Sequence, residues 1–446
     1  MKNKKFFIET YGCQMNFSDS EIVASILEEA GFGSTKHIAE ADMIFLNTCS
    51  IRDNAEQRVR KRLEFMKSLK KKNPQVVVGM LGCMAERLKT QLLEEENVLD
   101  LVAGPDSYRD LPRLMAEVES GTKAVNTLLS IDETYADISP VRYDSNGISA
   151  FISIMRGCEN YCAYCVVPYV RGQERSRDAG SITAEAESLF RKGFREVTLL
   201  GQNVNSYQWI SGGKTIRFAE LLEKAALVNP LLRIRFATSH PKDLSDELLH
   251  TMARHKNICK AIHLPVQSGS TRMLDHMNRG YTREQYLDRI DAIRNILPGC
   301  AISTDIIAGF CDESEEDHQD TLSLMERVGF DYAFMFRYSE RPDTLAAERY
   351  QDNVPPEVKE RRLREIIDLQ QKNSYQSNKE DAGKTFEVLI EGFSKRSDAF
   401  YSGRNSQNKV VVFPVTGNNP GEYVCVKISR FTSATLIGDA VNPDSL

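Results

Sequence analysis

At 446 residues the chain is long enough for about three domains of about 150 residues each. Apolar residues make up 41% and charged residues 27% of it, which is typical of a globular protein and excludes a disordered or collagen-like chain. The net charge of −6 gives no global sign of a nucleic-acid partner. No apolar run reaches the roughly 18 residues that span a bilayer, and the first apolar stretch ends after Ile8. We therefore expect no membrane segment, no signal peptide and a cytoplasmic location.

The first 120 residues alternate between short apolar strands and amphipathic helices. Strands are predicted at 6–8, 43–46, 76–78 and 98–102, and helices at 18–30, 53–72, 85–95 and 107–119. This order is typical of a parallel sheet built from βα units. The stretch 121–146 shows no period and is predicted to be a linker.

The βα alternation resumes over residues 149–340. Six strands are predicted there, at 150–155, 196–200, 232–237, 260–265, 301–307 and 332–337. Six βα units predict a partial barrel or an open sheet, with its site at the carboxyl ends of the strands. A charged helix is predicted at 355–378, and the short β-like runs after Gly383 predict a small all-β barrel or sandwich.

Three cysteines stand close together in Cys158-Glu-Asn-Tyr-Cys162-Ala-Tyr-Cys165, directly after a predicted strand. One loop with this spacing can bind three irons of an iron–sulfur cube and leave the fourth iron open for a ligand. A ferredoxin loop is tighter and usually finds a fourth cysteine, and zinc sites normally offer four ligands in paired spacing. The loop therefore favours a cluster with an open iron over a zinc knuckle.

A second set of cysteines is dispersed along the first half of the chain. Cys13, Cys49 and Cys83 each follow a predicted strand, and they lie 36 and 34 residues apart, about one βα unit. Because the carboxyl ends of neighbouring parallel strands meet at one sheet edge, these thiols can bind a further cluster, and Gly12 and Gly82 let the backbone approach it. The alternative is three separate core cysteines. The remaining cysteines show no pattern and are interpreted as structural: Cys259, Cys300, Cys311 and Cys425.

Polar segments follow three strands of the central region, at Leu200-Gly-Gln-Asn203, Thr238-Ser-His-Pro241 and Pro265-Val-Gln-Ser-Gly269. Together they predict a polar pocket for a small ligand on the rim that also carries the cysteine loop. Arg279 and Asp305 add charge to this pocket. His240 and His263 are interpreted as structural hydrogen-bonding groups rather than bases.

These motifs resemble those of the radical S-adenosylmethionine methylthiotransferases over nearly the whole chain, and the two cysteine sets match the six cluster ligands of that family. Three segments are similar to the branch that acts on isopentenylated tRNA: Tyr11-Gly-Cys-Gln-Met-Asn16, Asn47-Thr-Cys-Ser-Ile-Arg52 and Leu200-Gly-Gln-Asn-Val-Asn205. One segment departs from the family, which often has Gly-Phe-Pro-Gly-Glu-Thr where this chain has Gly309-Phe-Cys-Asp-Glu-Ser314. That turn therefore lacks the usual proline and glycine of the family.

The resemblance implies an α/β fold in three parts. A flavodoxin-like βα domain is expected at 3–121, a radical S-adenosylmethionine core with a partial (βα)6 barrel at 144–376, and a small all-β TRAM barrel at 379–442. It implies two [4Fe-4S] clusters, one on the Cys158 loop that binds S-adenosylmethionine and one on the dispersed cysteines that holds the sulfur to be inserted. No side chain is predicted to be catalytic, since the clusters carry the chemistry.

The implied reaction replaces C–H by C–SCH3 at C2 of isopentenyladenosine next to the anticodon of tRNA. The expected contacts with S-adenosylmethionine are Tyr164, Gln202, Ser239, Gln267 and Arg279. The expected tRNA contacts in the TRAM barrel are Phe393, Lys395, Arg396, Tyr401 and Arg404. Residues 58–72, with eight basic residues and one glutamate, are predicted either to contact tRNA phosphates or to form a solvated helix face. An electron donor such as flavodoxin or ferredoxin and a monomeric state are also expected.

Two alternatives remain open from the sequence. The same chemistry can act on threonylcarbamoyladenosine in tRNA, or on a ribosomal protein side chain, and the basic helix and the Gln14-Met15-Asn16 segment argue against the ribosomal protein. The chain can also be a non-catalytic iron–sulfur protein that binds RNA. Formation of 5′-deoxyadenosine from S-adenosylmethionine by the reduced protein separates that alternative from the enzyme.

Overall fold

The computed structural model describes residues 4–50, 53–143 and 145–442. The chain forms two compact units. The first contains the described residues up to 143 together with 155–161 and 165–181, and the second contains 145–154, 162–164 and the chain from 182 onward. Within the described ranges, no helix is both long and apolar enough to cross a membrane.

The first unit is built on a parallel sheet. Its strands are β1 (Lys5–Thr10), β2 (Gly33–Ser34), β3 (Met43–Thr48), β4 (Val77–Gly82), β5 (Leu101–Ala103) and β6 (Ala124–Asn126). Its helices are α1 (Gln14–Glu29), α2 (Asp53–Lys72), α3 (Cys83–Leu88), α4 (Gln91–Glu95) and α5 (Leu111–Glu119). The strands lie in the order β2-β1-β3-β4-β5-β6, which is the flavodoxin-like order, so that prediction is confirmed.

Apolar runs form these strands because both faces of the sheet are covered. On β3, Met43 and Phe45 pack into one core with residues of α1 and α5. The alternate residues Ile44 and Leu46 pack into a second core with residues of α2, α3 and α4. Successive residues of a strand point to opposite faces, so a continuous apolar run fills both cores.

Two local predictions for the first unit are wrong. The stretch predicted as a linker contains β6, which pairs in parallel with β5, and a three-residue strand is too short to show a period. The helix predicted at 85–95 is two helices, because Lys89 between them has a positive φ of 48° that interrupts the helical backbone.

The segment 149–181 alternates between the units. β7 (Ser149–Ser153) belongs to the second unit, whereas β8 (Met155–Arg156), α6 (Val167–Arg171) and β9 (Arg175–Ser176) belong to the first. The remaining elements of the core are α7 (Ala179–Arg191), β10 (Glu196–Leu200), β11 (Gln208–Ser211), β12 (Lys214–Arg217), α8 (Phe218–Ala226), β13 (Arg233–Ala237), α9 (Asp246–Arg254), β14 (Ala261–His263), α10 (Thr271–His276), α11 (Arg283–Ile296), β15 (Ala301–Ala308), α12 (Glu315–Val328), β16 (Tyr332–Arg337), α13 (Leu345–Arg349) and α14 (Pro356–Glu380).

The core of the second unit is a partial barrel. Two parallel sheets, β7-β10-β13 and β14-β15-β16, follow chain order, and a bridge between Ile234 and Ile258 links β13 to the segment before β14. Six successive parallel strands with intervening helices confirm the prediction of a partial (βα)6 barrel. The carboxyl ends of these strands form its rim.

A closed five-stranded barrel ends the second unit. Its strands are β17 (Thr385–Ser394), β18 (Ser397–Asn405), β19 (Val410–Pro414), β20 (Tyr423–Phe431) and β21 (Leu436–Val441). Val388, Ile390 and Phe413 are among the buried residues of its core. Arg233 Nη1 donates to Arg404 O at 2.8 Å and Arg235 Nη2 to Asn405 O at 2.8 Å, so arginines of the partial barrel anchor the small barrel.

Candidate cysteine-centred sites

The dispersed cysteines lie at one edge of the first unit's sheet. Cys13 caps the amino end of α1 after β1, Cys49 directly follows β3, and Cys83 opens α3 after β4. Because β1, β3 and β4 are neighbours, three successive carboxyl ends bring these residues to the same edge. The thiol of Cys13 hydrogen-bonds with that of Cys49, which lowers the pKa of Cys13 against the effect of burial. Burial raises the pKa of Cys83.

Two glycines make this approach possible. Gly12 has a φ of +126°, and a Cβ built on it would lie 2.3 Å from Cys49 Cβ and 3.2 Å from Cys49 Sγ. Gly82 has a φ of +87°, and its Cβ would lie 2.4 Å from Asn47 Oδ1 and 2.6 Å from Thr48 O. A side chain at either position would therefore push the cysteine-bearing loops apart.

The asparagines of the two N-terminal motifs hold these loops together. Asn16 Nδ2 donates to Asn47 Oδ1 at 3.1 Å and to Thr48 O at 3.0 Å, and Asn47 Nδ2 donates to Asn16 O at 2.8 Å. Asn16 Oδ1 also accepts from the Cys13 thiol at 3.1 Å. Asn16 is fully buried, so its role is to fix the loops rather than to read RNA. Of the second motif, Ile51-Arg52 lies outside the described residues.

A buried charge network backs this site within the first unit. Arg171 Nε donates to Cys83 Sγ at 3.3 Å, and Arg171 Nη2 binds Asp19 Oδ2 at 2.7 Å. Arg156 Nη1 binds the other oxygen of Asp19 at 2.9 Å, and Arg175 binds Asp106 at 2.8 Å. Although burial acts to raise it, the pKa of Asp19 is held below its usual range by Arg156 and Arg171. The network thus keeps a guanidinium against the sulfur of Cys83.

The Cys158–Cys165 loop runs through both units. In the first, Gly157 has a φ of +80°, and a Cβ there would lie 1.9 Å from Gln173 O, so the backbone needs glycine before Cys158. Cys158 N donates to Gly172 O at 3.2 Å, and Asn160 Nδ2 donates to Cys158 Sγ at 3.4 Å. The chain's own backbone thereby fixes the first cysteine of the loop.

In the second unit a buried arginine supports the middle of the loop. Arg279 Nη1 donates to Cys162 Sγ at 3.1 Å and to Tyr164 OH at 3.3 Å, and Nη2 donates to Pro265 O at 2.7 Å. Arg279 Nε donates to Tyr281 OH at 3.1 Å. Tyr164 and Arg279, both predicted to contact S-adenosylmethionine, therefore lie beside Cys162. The guanidinium group of Arg279 is already hydrogen-bonded to protein groups.

Polar atoms on the rim of the partial barrel lack protein partners. Gln202 Oε1, Ser239 Oγ, Gln267 Oε1 and His240 Nε2 are buried and have no hydrogen-bond partner among the described residues. The first three belong to predicted contact residues. Burying such atoms without partners is costly, and a cluster of them marks a place where a polar ligand binds.

Backbone strain lies on the same rim. Thr238, after β13, and Gln267, after β14, both have a φ of +72°, which residues other than glycine rarely adopt. Such strain persists where the surroundings hold it, commonly at binding sites. Burial and then the nearby Arg279 lower the pKa of His240 to about 2, so this ring stays neutral. The sequence interpretation treated His240 as structural and missed that its Nε2 has no hydrogen-bond partner among residues 4–50, 53–143 and 145–442.

The predicted RNA contacts of the small barrel separate into exposed and buried side chains. Phe393 is 54% exposed, and Lys395 and Arg396 are exposed in the turn after β17. Tyr401 is only 4% exposed and its hydroxyl donates to Asn418 O at 2.7 Å, so it is a core residue and not an RNA contact. Arg404 ion-pairs with Glu391 at 3.4 Å.

The basic charges of α2 are partly neutralised within the first unit. Ion pairs with acidic side chains hold Arg60, Arg62, Lys67 and Lys70. The cations of α2 that are exposed and make no ion pair within the described part of the chain are Arg58, Lys61, Lys71 and Lys72. Among the described cations of α2, those of this second group are the more available to phosphates.

Known proteins match the chain over each of its parts. Residues 5–104 match the profile of the Uncharacterized protein family UPF0004, residues 152–325 that of the Radical SAM superfamily, and residues 379–441 that of the TRAM domain. The radical S-adenosylmethionine methyltransferase TsrM from Kitasatospora setae shares the fold with a TM-score of 0.56 at 14% identity, over 76% of this chain and 75% of that protein. The fold and the cysteine loop thus define a radical S-adenosylmethionine protein.

The sequence relatives narrow this class. The tRNA-2-methylthio-N(6)-dimethylallyladenosine synthase of Amoebophilus asiaticus is 58% identical over 98% of this chain and 92% of its own length. The synthases of Chloroherpeton thalassium and Parabacteroides distasonis are also 58% identical, each over 98% of this chain and 96% of their own length. The chain belongs to the tRNA-2-methylthio-N(6)-dimethylallyladenosine synthase family. Its cofactors are [4Fe-4S] clusters and S-adenosylmethionine.

The residues present fit these cofactors. At the sheet edge, the lack of a Cβ on Gly12 and Gly82 lets the loops that carry the cysteines approach one another, and thiols are the ligands that iron–sulfur clusters take. On the rim, the buried atoms without partners on Gln202, Ser239 and Gln267 match a ligand rich in polar groups.

Proposed function

We propose that this chain methylthiolates tRNA, replacing the C2 hydrogen of N6-isopentenyladenosine next to the anticodon by a methylthio group. The observation that carries the proposal is the meeting of Cys13, Cys49 and Cys83 at one sheet edge, in a chain that also has the Cys158–Cys165 loop. Two sets of three thiols provide for two clusters, each with one iron free of protein ligands. The shared name of the relatives supports both the reaction and the substrate.

The side chains hold and orient the reactants rather than react themselves. When bound, the two clusters and S-adenosylmethionine supply the electron, the hydrogen-abstracting radical, the sulfur and the methyl group, none of which a side chain can provide. Cys158, Cys162 and Cys165 would hold one cluster, and Cys13, Cys49 and Cys83 would hold the other.

Buried polar groups do the positioning on the rim. Gln202, Ser239 and Gln267 offer S-adenosylmethionine hydrogen-bonding atoms that no group in the described part of the chain uses. The hydroxyl of Tyr164 accepts a hydrogen bond from Arg279, which orients its ring, and Arg279 itself holds Cys162. His240 stays neutral and therefore adds no charge repulsion to a cationic sulfonium ligand.

The partner in this proposal is tRNA, which the TRAM domain and the names of the relatives support. The exposed cations of α2 and the exposed side chains of Phe393, Lys395 and Arg396 are the groups we assign to RNA. An electron donor such as flavodoxin or ferredoxin, a monomeric state and a cytoplasmic location complete the proposal.

The test is methylthiolation by the full-length, anaerobically reconstituted protein of two tRNA substrates side by side. One substrate carries isopentenyladenosine next to the anticodon and the other carries threonylcarbamoyladenosine. Mass spectrometry of the nucleosides is expected to show the methylthio product on the isopentenylated tRNA. Equal or reversed turnover of the two substrates would contradict the assignment.

A further inference from the structure

The core strand β15 has one buried face and one open face. The side chains of Ile302, Thr304 and Ile306 are buried, whereas those of Ser303 and Asp305 are partly exposed. A strand presents alternate residues to opposite faces, so Ser303 and Asp305 share the open face.

Two aromatic residues of β16 lie beside them. The backbone register places Tyr332 opposite Ser303 and Phe334 opposite Asp305. Tyr332 is 53% exposed and Phe334 is 39% exposed, and their ring centroids lie 4.9 Å apart in an edge-to-face arrangement. The other face of this sheet is packed. Large aromatic side chains that are exposed on one face of such a sheet are typical of a binding surface.

Polar groups border the aromatic pair. The ring of His263 on β14 lies 5.8 Å from that of Phe334, its Nδ1 is 3.0 Å from Ser303 Oγ, and its Nε2 is 3.4 Å from Asp305 Oδ1. Within the described ranges, no lysine or arginine ion-pairs with Asp305. The surface is therefore apolar at its centre and bordered by a carboxylate that no strong cation neutralises.

This surface continues into the rim where we place S-adenosylmethionine. Gln267 N donates to Asp305 O at 2.9 Å, and Ile307 N donates to Gln267 O at 2.9 Å. The same Gln267 has the strained backbone and the buried side-chain oxygen without a partner. A group bound on Tyr332 and Phe334 would thus extend from the candidate reaction site.

We propose that Tyr332, Phe334, His263 and Asp305 form the surface that receives the N6 substituent of the target adenosine and selects one that is apolar and uncharged. The inference rests on the proposed function and adds the residues that choose the substrate. A dimethylallyl group packs on the two aromatic rings and leaves water. A threonylcarbamoyl group brings a carboxylate, which Asp305 repels.

The first test measures binding of two anticodon-arm RNA hairpins to the full-length protein. The hairpins are identical except that one carries isopentenyladenosine where the other carries adenosine. Phe334→Ala is expected to reduce the preference for the prenylated hairpin by about tenfold, because burial of several carbon atoms is lost. Its Kd for the unmodified hairpin is expected to stay that of the parent. Tyr375→Ala, which removes a 50% exposed aromatic side chain on α14, is the matched control and should leave the preference intact.

An unchanged preference in Phe334→Ala would overturn the inference, and so would an equal loss of affinity for both hairpins. If the alanine variant does not fold, Phe334→Leu and Asp305→Asn provide the answer. Asp305→Asn keeps the size of the side chain and is expected to tighten binding of a threonylcarbamoylated hairpin by about fivefold, since it removes one like charge. No gain for that hairpin would overturn the charge argument. If the parent protein methylthiolates isopentenylated tRNA while these variants keep its preferences, only this inference fails and the proposed function stands.

Discussion

Gly12 leaves no space for a side chain, because a Cβ there would lie 2.3 Å from Cys49 Cβ. Its φ of +126° adds a conformational penalty for any other residue. Gly31, at the end of α1, has a φ of +90° and open space around its Cβ position. Both glycines therefore have a positive φ that disfavours other residues, but a Cβ at Gly12 would also clash with a cysteine.

Gly12→Ala is expected to lose about half of the iron of the parent, since each cluster holds about four iron atoms and the clash displaces Cys49 from one of them. Gly31→Ala is the matched control and should keep full iron, at a stability cost of about 1 kcal/mol from backbone strain. Iron analysis and thermal unfolding of the two reconstituted variants measure this. Full iron in Gly12→Ala would remove the support for a cluster at the sheet edge.

Arg279 was predicted to contact S-adenosylmethionine, but its hydrogen bonds assign it a different role. All three of its guanidinium nitrogens donate to protein groups, including Cys162 Sγ at 3.1 Å. Hydrogen bonds to ligand sulfurs stabilise the more negative, reduced state of a cluster. Arg279 therefore positions Cys162 and Tyr164, and we expect it to favour the reduction of a cluster bound to this loop.

Arg279→Gln is expected to lower the midpoint potential of the cluster on the Cys158–Cys165 loop by an amount on the order of 60 mV, equivalent to about 1.4 kcal/mol. Arg279→Lys keeps the charge and should lower it less. A redox titration followed by electron paramagnetic resonance measures the shift, with Arg327→Gln as control because that side chain is 59% exposed. An unchanged potential in Arg279→Gln would show that the contact has no electrostatic role.

Asp312 allows the turn at 309–314 to form although it lacks the glycine of the family motif. It adopts a left-handed φ of +60° at the position where the family motif has glycine, a conformation that aspartate tolerates better than most residues. Its N–H donates to Asn353 Oδ1 at 2.9 Å, and its carbonyl accepts from Arg272 Nη2 at 2.7 Å. Cys311 takes the place of proline and is fully buried beside Phe310. The turn therefore forms without the usual proline and glycine.

Periodicity predicted the long elements well and the short ones poorly. β1, β3 and β4 carry continuous apolar runs because helices cover both sides of their sheet, and α2 and α14 were predicted to within two residues at each end. β2, with two residues, and β6, with three, are too short to give a pattern. In β18, small, polar and charged residues surround a single aromatic pair, so this strand gives no clear pattern in the sequence.

Ion pairs neutralise part of the positive charge that the sequence predicts for helix α2. Lys70 belongs to the run predicted to contact phosphates, but its Nζ pairs with Asp100. Arg58, Lys61, Phe65 and Lys72 are three, four and seven positions apart and therefore share one stripe of the helix. Phe65 is 43% exposed on that stripe. Ion pairing, which depends on the fold, decides which of the cations remain available.

The double variant Lys61→Gln/Lys72→Gln is expected to weaken tRNA binding and to reduce the slope of log Kd against log salt by about 1.5 to 2, since two phosphate contacts are lost. Arg60→Gln/Lys67→Gln on the same helix removes the same charge from ion-paired positions and serves as control. Binding isotherms at several salt concentrations give both slopes. Equal slopes for the two double variants would return α2 to a solvated surface.

The sequence predicted the division of the chain into compact units only in part. The three family matches cover three successive stretches of the chain, yet 155–161 and 165–181 fold with the first unit. The cause is a set of ion pairs between residues far apart in sequence, such as Asp19 with Arg156 and Arg171. The spacing of the dispersed cysteines predicted the candidate ligands because each of these cysteines follows a strand of the same sheet. The two arginines stand in no such pattern, so the sequence did not predict their ion pairs.

The central claim is that the two cysteine sets hold two clusters with different tasks. The most direct measurement compares Cys49→Ala with Cys165→Ala for iron content, 5′-deoxyadenosine and methylthiolated tRNA. Each variant should keep about half of the parent's iron, since each loses one of two clusters of about four iron atoms. Cys165→Ala should form neither product, whereas Cys49→Ala should still form 5′-deoxyadenosine and no methylthiolated tRNA. Normal iron and normal methylthiolation in Cys49→Ala would contradict the account.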